Sequence, residues 1–138
     1  MDFYEPVGTT DSEKAFCLIL ESLSQQFPMV KPPLDPLLNI LKRITQKIAK
    51  HGIFNYLLPD GEHFFAHSST ILCYIVRQAP FAAAHLIDED VTVDFSELTR
   101  PTDRVAVIAT TPLTDNEVWT QIEPGELLTF HDGEPIKN

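Results

Sequence analysis

Ile53-Phe54-Asn55-Tyr56-Leu57-Leu58-Pro59-Asp60-Gly61-Glu62-His63-Phe64-Phe65-Ala66-His67 is where this 138-residue chain changes its period. Ile53 to Leu58 and His63 to His67 read as two short extended runs. Pro59-Asp60-Gly61-Glu62 between them predicts a hairpin, because an Asp-Gly pair accepts the positive φ that a tight turn demands. Further runs follow at Leu72 to Val76, Ala82 to Ile87, Val91 to Phe95, Val105 to Ala109 and Leu127 to His131. Asp132-Gly133 predicts another tight turn. Short strands joined by turns pair antiparallel.

Upstream of Ile53 the spacing is helical. Thr10 and Glu13 have the Thr-x-x-Glu spacing of a capping box, which satisfies amide groups that a helix start leaves unpaired. Phe16, Leu20, Leu23 and Phe27 follow at helical spacing, so residues 11 to 26 predict a first helix, closed by Phe27-Pro28. Lys31-Pro32-Pro33-Leu34-Asp35-Pro36 reads as a linker. A second helix carries the stripe Leu37, Leu41, Ile44 and Ile48, with Lys47, Lys50 and His51 near its end and Gly52 as its stop. Two helices followed by a run of strands predict an α+β class, with the helices layered on a mostly antiparallel sheet.

Several segments together carry a family resemblance. Pro6-Val7-Gly8-x-Thr10-Asp11-Ser12-Glu13-Lys14-Ala15-Phe16 resembles the Thr/Ser-Asp-Ser/Thr-Glu segment of class II glutamine amidotransferases, a branch of the N-terminal-nucleophile hydrolases. Phe54 to Gly61, Phe65 to Thr70, Arg77 to Phe81, and Pro112-Leu113-Thr114-Asp115-Asn116-Glu117-x-Trp119 resemble later segments of the small single-domain bacterial members, in the same order. The resemblance implies a four-layer α/β/β/α sandwich that releases ammonia from glutamine. It also implies that Asp11 binds the α-ammonium group of glutamine, with Thr10 and Ser12 as supporting residues. A carboxylate fixed at a helix start is a preorganised acceptor for that group.

The family attacks glutamine with a cysteine at the mature N-terminus, whose own α-amino group is the base; its substrate-binding arginine and its Asn-Gly oxyanion pair precede the Thr-Asp-Ser-Glu helix. This chain opens Met1-Asp2-Phe3. The expectation is therefore a single, incomplete domain over residues 1–138, corresponding to the family's C-terminal part and inactive as a glutaminase by itself. A different class of reading is a non-catalytic interaction module that pairs through exposed sheet edges, either with a separate N-terminal half or as a homo-oligomer.

Composition narrows the partners. Hydrophobic residues make up 43% and the net charge is −10, the mark of a globular acidic protein rather than a disordered tail. Nucleic acid and anionic membranes are excluded as expected partners, since both require a basic face. The imbalance is local: residues 51–138 hold fourteen acidic and four basic side chains, and residues 1–50 hold six of each. The absence of a signal-peptide pattern and of a long apolar run predicts a cytoplasmic location.

The other reactive residue types have ordinary readings. Cys17 and Cys73 form no CxxC pair and are expected to be buried, reduced thiols, with Cys17 weighed as a stand-in nucleophile. His63 and His67, four apart on a strand, would lie roughly 13 Å apart, too far for one zinc ion. Ser68, His85 and Asp88 offer the residue types of a hydrolytic triad, which sequence spacing cannot establish. Asp88-Glu89-Asp90 lacks the ligand pattern of a calcium loop and reads as a solvated turn. Trp119 reads as a packed residue with its N–H satisfied, and the Arg77 segment as structural. No catalytic residue, metal or cofactor is expected among these residues.

Overall fold

The computed structural model describes residues 4–78, 83–87, 91–94, 100 and 102–136. The chain divides into two compact units, Met1–Phe54 and Asn55–Asn138. The first holds two helices, α1 (Asp11–Gln26) and α2 (Leu34–Ala49), packed on each other. Among its described residues the second holds nine strands: β1 (Tyr56–Pro59), β2 (Phe64–His67), β3 (Leu72–Gln78), β4 (Ala83–His85), β5 (Thr92–Asp94), β6 (Arg104–Ala109), β7 (Thr120–Ile122), β8 (Leu127–His131) and β9 (Glu134–Ile136). The fold is α+β, as the pattern predicts.

The helix ends follow from local chemistry. α1 stops at Phe27, whose N–H donates to the Leu23 carbonyl at 2.8 Å. Phe27 precedes Pro28, and a residue before proline is pushed out of the α region, here to φ −133° and ψ 69°. The Pro-rich run is only partly a linker: α2 begins at Leu34 and takes Asp35 and Pro36 into its first turn. Proline is tolerated there because first-turn amides have no intrahelical acceptor. Gly52 is not a left-handed cap, since α2 ends at Ala49 and His51 N–H closes a shorter turn onto Ile48 O at 2.9 Å.

The buried faces match the expected stripes in α2 and differ in α1. Leu37, Leu38, Leu41 and Ile44 are buried on α2. On α1 the buried apolar residues are Cys17 and Ile19, while Phe16 of the expected stripe is 48% exposed. Residues 15–20 are apolar without a break, so spacing alone could not fix which side faces inward. Glu21 is buried on the same helix. Its carboxylate accepts from Tyr4 N–H at 3.2 Å and from the Gln25 side-chain amide at 3.4 Å, which offsets its lost hydration.

All paired strands are antiparallel and form a four-stranded sheet β1-β2-β8-β9, a three-stranded sheet β6-β3-β7 and a two-stranded ribbon β4-β5. The predicted hairpin joins β1 to β2, with the Asp60 carboxylate accepting from the amides of Glu62 and His63 and Gly61 at φ 94°. Asp132 and Gly133, both at positive φ, join β8 to β9. The strands β7 and β9 have no counterpart in the sequence reading. Each is three residues long, and Pro135 suits β9 only because β9 is an edge strand. Ala82 and Phe95, at the limits of two predicted runs, lie outside the described residues.

The larger sheets share a core of Ala66, Leu72, Ile122 and Phe130, and Tyr74 meets Phe130 edge-on at 5.3 Å between ring centroids. Strand alternation puts Phe65, His67 and Thr129 on the opposite face of the four-stranded sheet. Burial pushes the His67 pKa below its ordinary 6.5, partly opposed by its hydrogen bond to the Glu126 backbone.

Residues 110–119 are tied down on two sides. Arg77 grips Glu117 through Nε–H to Oε2 at 3.0 Å and an Nη2 N–H to Oε1 at 2.7 Å. Thr114 Oγ1–H donates to Glu117 at 2.8 Å, and Trp119 Nε1–H donates to Thr114 Oγ1 at 2.9 Å. The Trp119 N–H is thus satisfied, and Arg77 ties β3 to this segment. On the other side Asn116 accepts from His85 N–H and donates to Ala83 O, both at 2.8 Å.

Two expected outcomes test this packing. A Cβ at Gly133 would stand 2.5 Å from the Arg104 carbonyl oxygen, at a φ of 78°; at Gly125, φ 88°, it would meet nothing within 4 Å. Gly133→Ala should therefore cost about 2–3 kcal/mol and Gly125→Ala about 1 kcal/mol in chemical denaturation; equal costs would contradict the contact. The Arg77 hydrogen bonds hold the Glu117 carboxyl below its ordinary value near 4.5, against the opposing effect of burial. A depressed carboxylate pKa gives stability that is present above that value and lost as pH falls through the folded pKa. Arg77→Met should lower stability at pH 7 by about 2 kcal/mol and flatten its loss below pH 4.5, read from denaturation midpoints across pH.

Candidate functional site

The start of α1 is built from backbone amides that need acceptors. Thr10, in extended conformation, caps the helix, and its Oγ1 accepts from Glu13 N–H at 3.3 Å. The reciprocal half of the predicted capping box is displaced: the Glu13 carboxylate accepts from Val7 N–H at 2.7 Å and Gly8 N–H at 2.9 Å. Gly8 permits this. A Cβ at that position would lie 2.5 Å from Glu13 Oε2. The entering chain is thereby folded back onto the first helical turn, a clamp that the Gly8-to-Glu13 spacing could have suggested.

Asp11 is the first residue of α1 and is exposed. It stands on the rim of a groove of about 420 Å³ in the helical unit, with Ser12, Lys14 and His51 as other polar lining residues. Leu18, Ile48 and Phe54 are among its apolar lining residues. The capping motif predicts Asp11 at a helix start, and nothing in the spacing links it with His51 or Phe54. Those two come from the segment after α2, which only the helical hairpin returns to the start of α1.

Other candidate residues are dispersed. Cys17 and Cys73 are buried at 8% and 6% exposure, and the Cys73 thiol donates to Ala109 O at 3.4 Å. Burial also pushes the Cys73 thiol pKa upward, which disfavours its thiolate. The stand-in nucleophile role for Cys17 is not supported by its place inside α1. His63 precedes β2 and lies 3.7 Å from Asp60, while its ring meets that of His131 at 5.1 Å. His67 instead contacts the Tyr56 ring at 5.3 Å and Ser69 Oγ at 3.3 Å.

Among the described residues, no group of three or more His, Cys, Asp and Glu could hold a metal ion. Ser68 is fully buried, and the carboxylate beside His85 is Asp115, at 2.8 Å from Nδ1. Asp88, and with it the Asp88-Glu89-Asp90 triplet, lies outside the described residues, as do Ala79, Pro80 and Phe81.

A helical hairpin with an exposed aspartate at its capped start, followed by stacked antiparallel sheets, defines the class of protein to which comparison can be made. Residues 1–138 match the family described as class-II glutamine amidotransferases, and the chain belongs to that family. It is 45% identical over 133 residues to an Escherichia coli protein called "Putative glutamine amidotransferase YafJ", covering 96% of this chain and 52% of that protein. A Haemophilus influenzae protein of like name is 44% identical over 134 residues, covering 97% of this chain and 45% of its own length. The crystal structure of a predicted glutamine amidotransferase from Pseudomonas aeruginosa superposes with a TM-score of 0.85 at 46% identity, covering 99% of this chain and 53% of that one. The chain thus spans about half the length of these relatives.

The clamp at α1 yields a direct expectation. Glu13→Ala leaves the Val7 and Gly8 amides without their carboxylate and should cost about 1 kcal/mol of stability, as for loss of a helix cap. Amide exchange at Val7 and Gly8 should accelerate in that variant. Unchanged exchange there would show that Glu13 does not hold the entering segment.

Proposed function

We propose that this chain contributes the glutamine-binding side of a class II glutamine amidotransferase, with Asp11 receiving the substrate's α-ammonium group. The observation that carries this reading is the exposed Asp11 carboxylate, set at the capped start of α1 on the rim of a groove. An ammonium ion brought there meets a fixed anion, and the hydrogen bonds formed are charge-assisted. Thr10 and Glu13 fix the backbone that presents it. Residues 1–138 are read as part of one amidotransferase-like domain, acting in the cytoplasm on glutamine. No helix among the described residues is long and apolar enough to cross a membrane.

In this reading a thiolate attacks the side-chain amide carbon of glutamine to give a tetrahedral intermediate. Its collapse, with the proton that the α-amino group took from the thiol passed to the departing nitrogen, expels ammonia, and water then cleaves the glutamyl thioester to glutamate, freeing the thiol. Asp11 takes no part in bond making; it fixes the amino-acid end of the substrate so that the amide is held for attack. Neither Cys17 nor Cys73 is offered as that nucleophile, both being buried. The cysteine, the arginine for the substrate carboxylate and the oxyanion donors are assigned to family segments other than those matched here. Residues 1–138 alone are therefore expected to release no glutamate.

The test joins residues 1–138 in frame behind a family segment that begins with the nucleophilic cysteine and measures glutamate release. Asp11→Ala should raise KM for glutamine by about 10- to 100-fold, the loss of a hydrogen-bonded ion contact. An unchanged KM would remove Asp11 from the site.

A further inference from the structure

Residues 36–59 contain no acidic side chain, yet they hold Lys42, Arg43, Lys47 and Lys50, four of the ten Lys and Arg residues in a chain of net charge −10. Helix polarity accounts for part of this. Lys47 lies in the last turn of α2, where a cation meets the negative end of the helix. Arg43 lies a turn earlier, four residues before Lys47, a spacing at which like charges destabilise a helix. Among the described residues neither pairs with a carboxylate, whereas Arg77 and Arg104 each hold one.

Arg43 and Lys47 border a cleft of about 170 Å³ between α1 and α2. Gln25 and Gln26 line it from α1, and Ile44 is part of its apolar lining. Among the described residues no carboxylate lines it. Gln25 donates one amide N–H to Glu21 at 3.4 Å and retains a second, and Gln26 brings its own pair. The Glu21 carboxylate is buried and accepts from Tyr4 N–H, and it does not reach the lining. The cleft therefore presents two cations and a set of amide donors.

We propose that this cleft binds a phosphate group. Two full positive charges match a phosphate or phosphomonoester, which carries about −1.5 to −2 at pH 7, and exceed what a single carboxylate neutralises. Arg43 supplies a planar fork for two phosphate oxygens, Lys47 a point charge for a third, and the glutamine amides donate from α1. The volume limits the ligand. It is about half of the roughly 300 Å³ at which sites for drug-sized molecules begin, so the phosphate is held and any organic remainder stays in solvent. A nucleic acid strand is the poorer ligand, because residues 60–138 hold fourteen acidic and four basic side chains. The cleft shares no lining residue with the Asp11 groove, and the proposal does not rest on the glutamine reading.

The experiment titrates the 138-residue chain with inorganic phosphate and, separately, with glycerol phosphate, at an ionic strength held constant by sodium chloride. Saturable NMR shifts are expected at Gln25, Gln26, Arg43 and Lys47. Binding of the free ion alone would identify inorganic phosphate as the ligand, and equal binding of the ester would identify the phosphoryl group of a metabolite. Arg43→Gln and Lys47→Gln should each weaken binding by about tenfold, the loss of a charge-assisted contact. Both side chains are exposed, so neither change should lower the denaturation midpoint. Lys42→Gln removes the same charge beside the cleft but not on its lining, and should leave the affinity within about twofold. Equal weakening by all three variants would reduce the effect to diffuse attraction and overturn the proposal. So would shifts that fail to saturate with either probe. Because the readout is phosphate binding, failure here is distinct from failure of the glutamine site.

Discussion

The unpaired amides of a helix start set the constraint from which the candidate site follows. A helix beginning at Asp11 must find acceptors for its first N–H groups. Thr10 serves Glu13, and Glu13 in turn reaches back to Val7 and Gly8. The consequence is a division of labour between two neighbouring carboxylates. Glu13 is consumed by the backbone, whereas Asp11, two residues earlier, is left exposed at the groove. A side chain at Gly8 would disturb this division by crowding the Glu13 carboxylate.

A second network does for the strand unit what that clamp does for the helices. Among the described residues the 110–119 segment has a single bridge pair, Leu86 with Thr114, to give it sheet character. It is held instead by Arg77, Glu117, Thr114 and Trp119 toward β3 and by Asp115 and Asn116 toward β4. Bidentate geometry and limited exposure of Arg77 and Glu117, 16% and 18%, make this a firmer tie than a solvated surface pair. Pro112 to Trp119, one of the segments that carry the family likeness, is thus engaged in packing. The resemblance and the reacting residues need not coincide.

Much of the fold was legible because its signals are local. The bounds of α1, the Asp60-Gly61 hairpin and the Asp132-Gly133 turn rest on caps, a proline and positive-φ preferences, all within a few residues of one another. The inward side of α1 was not legible, since unbroken apolar residues carry no phase information. β7 and β9 escaped because three-residue strands owe their existence to partners elsewhere, β7 to β3 and β9 to β8. The same limit applies to the site. Asp11 could be found from its motif, but His51 and Phe54 join it only through the return of the helical hairpin.

The reading proposed for this chain has two halves, Asp11 as the anchor for glutamine and no glutamate release by residues 1–138 alone. A titration of the 138-residue protein with glutamine, followed by backbone amide NMR and by glutamate release in the same samples, tests both halves at once. The account predicts saturable shifts centred on Asp11 and Ser12, lost in Asp11→Ala, with no glutamate formed. Glutamate release by the pure chain, or shifts that ignore the start of α1, would contradict it.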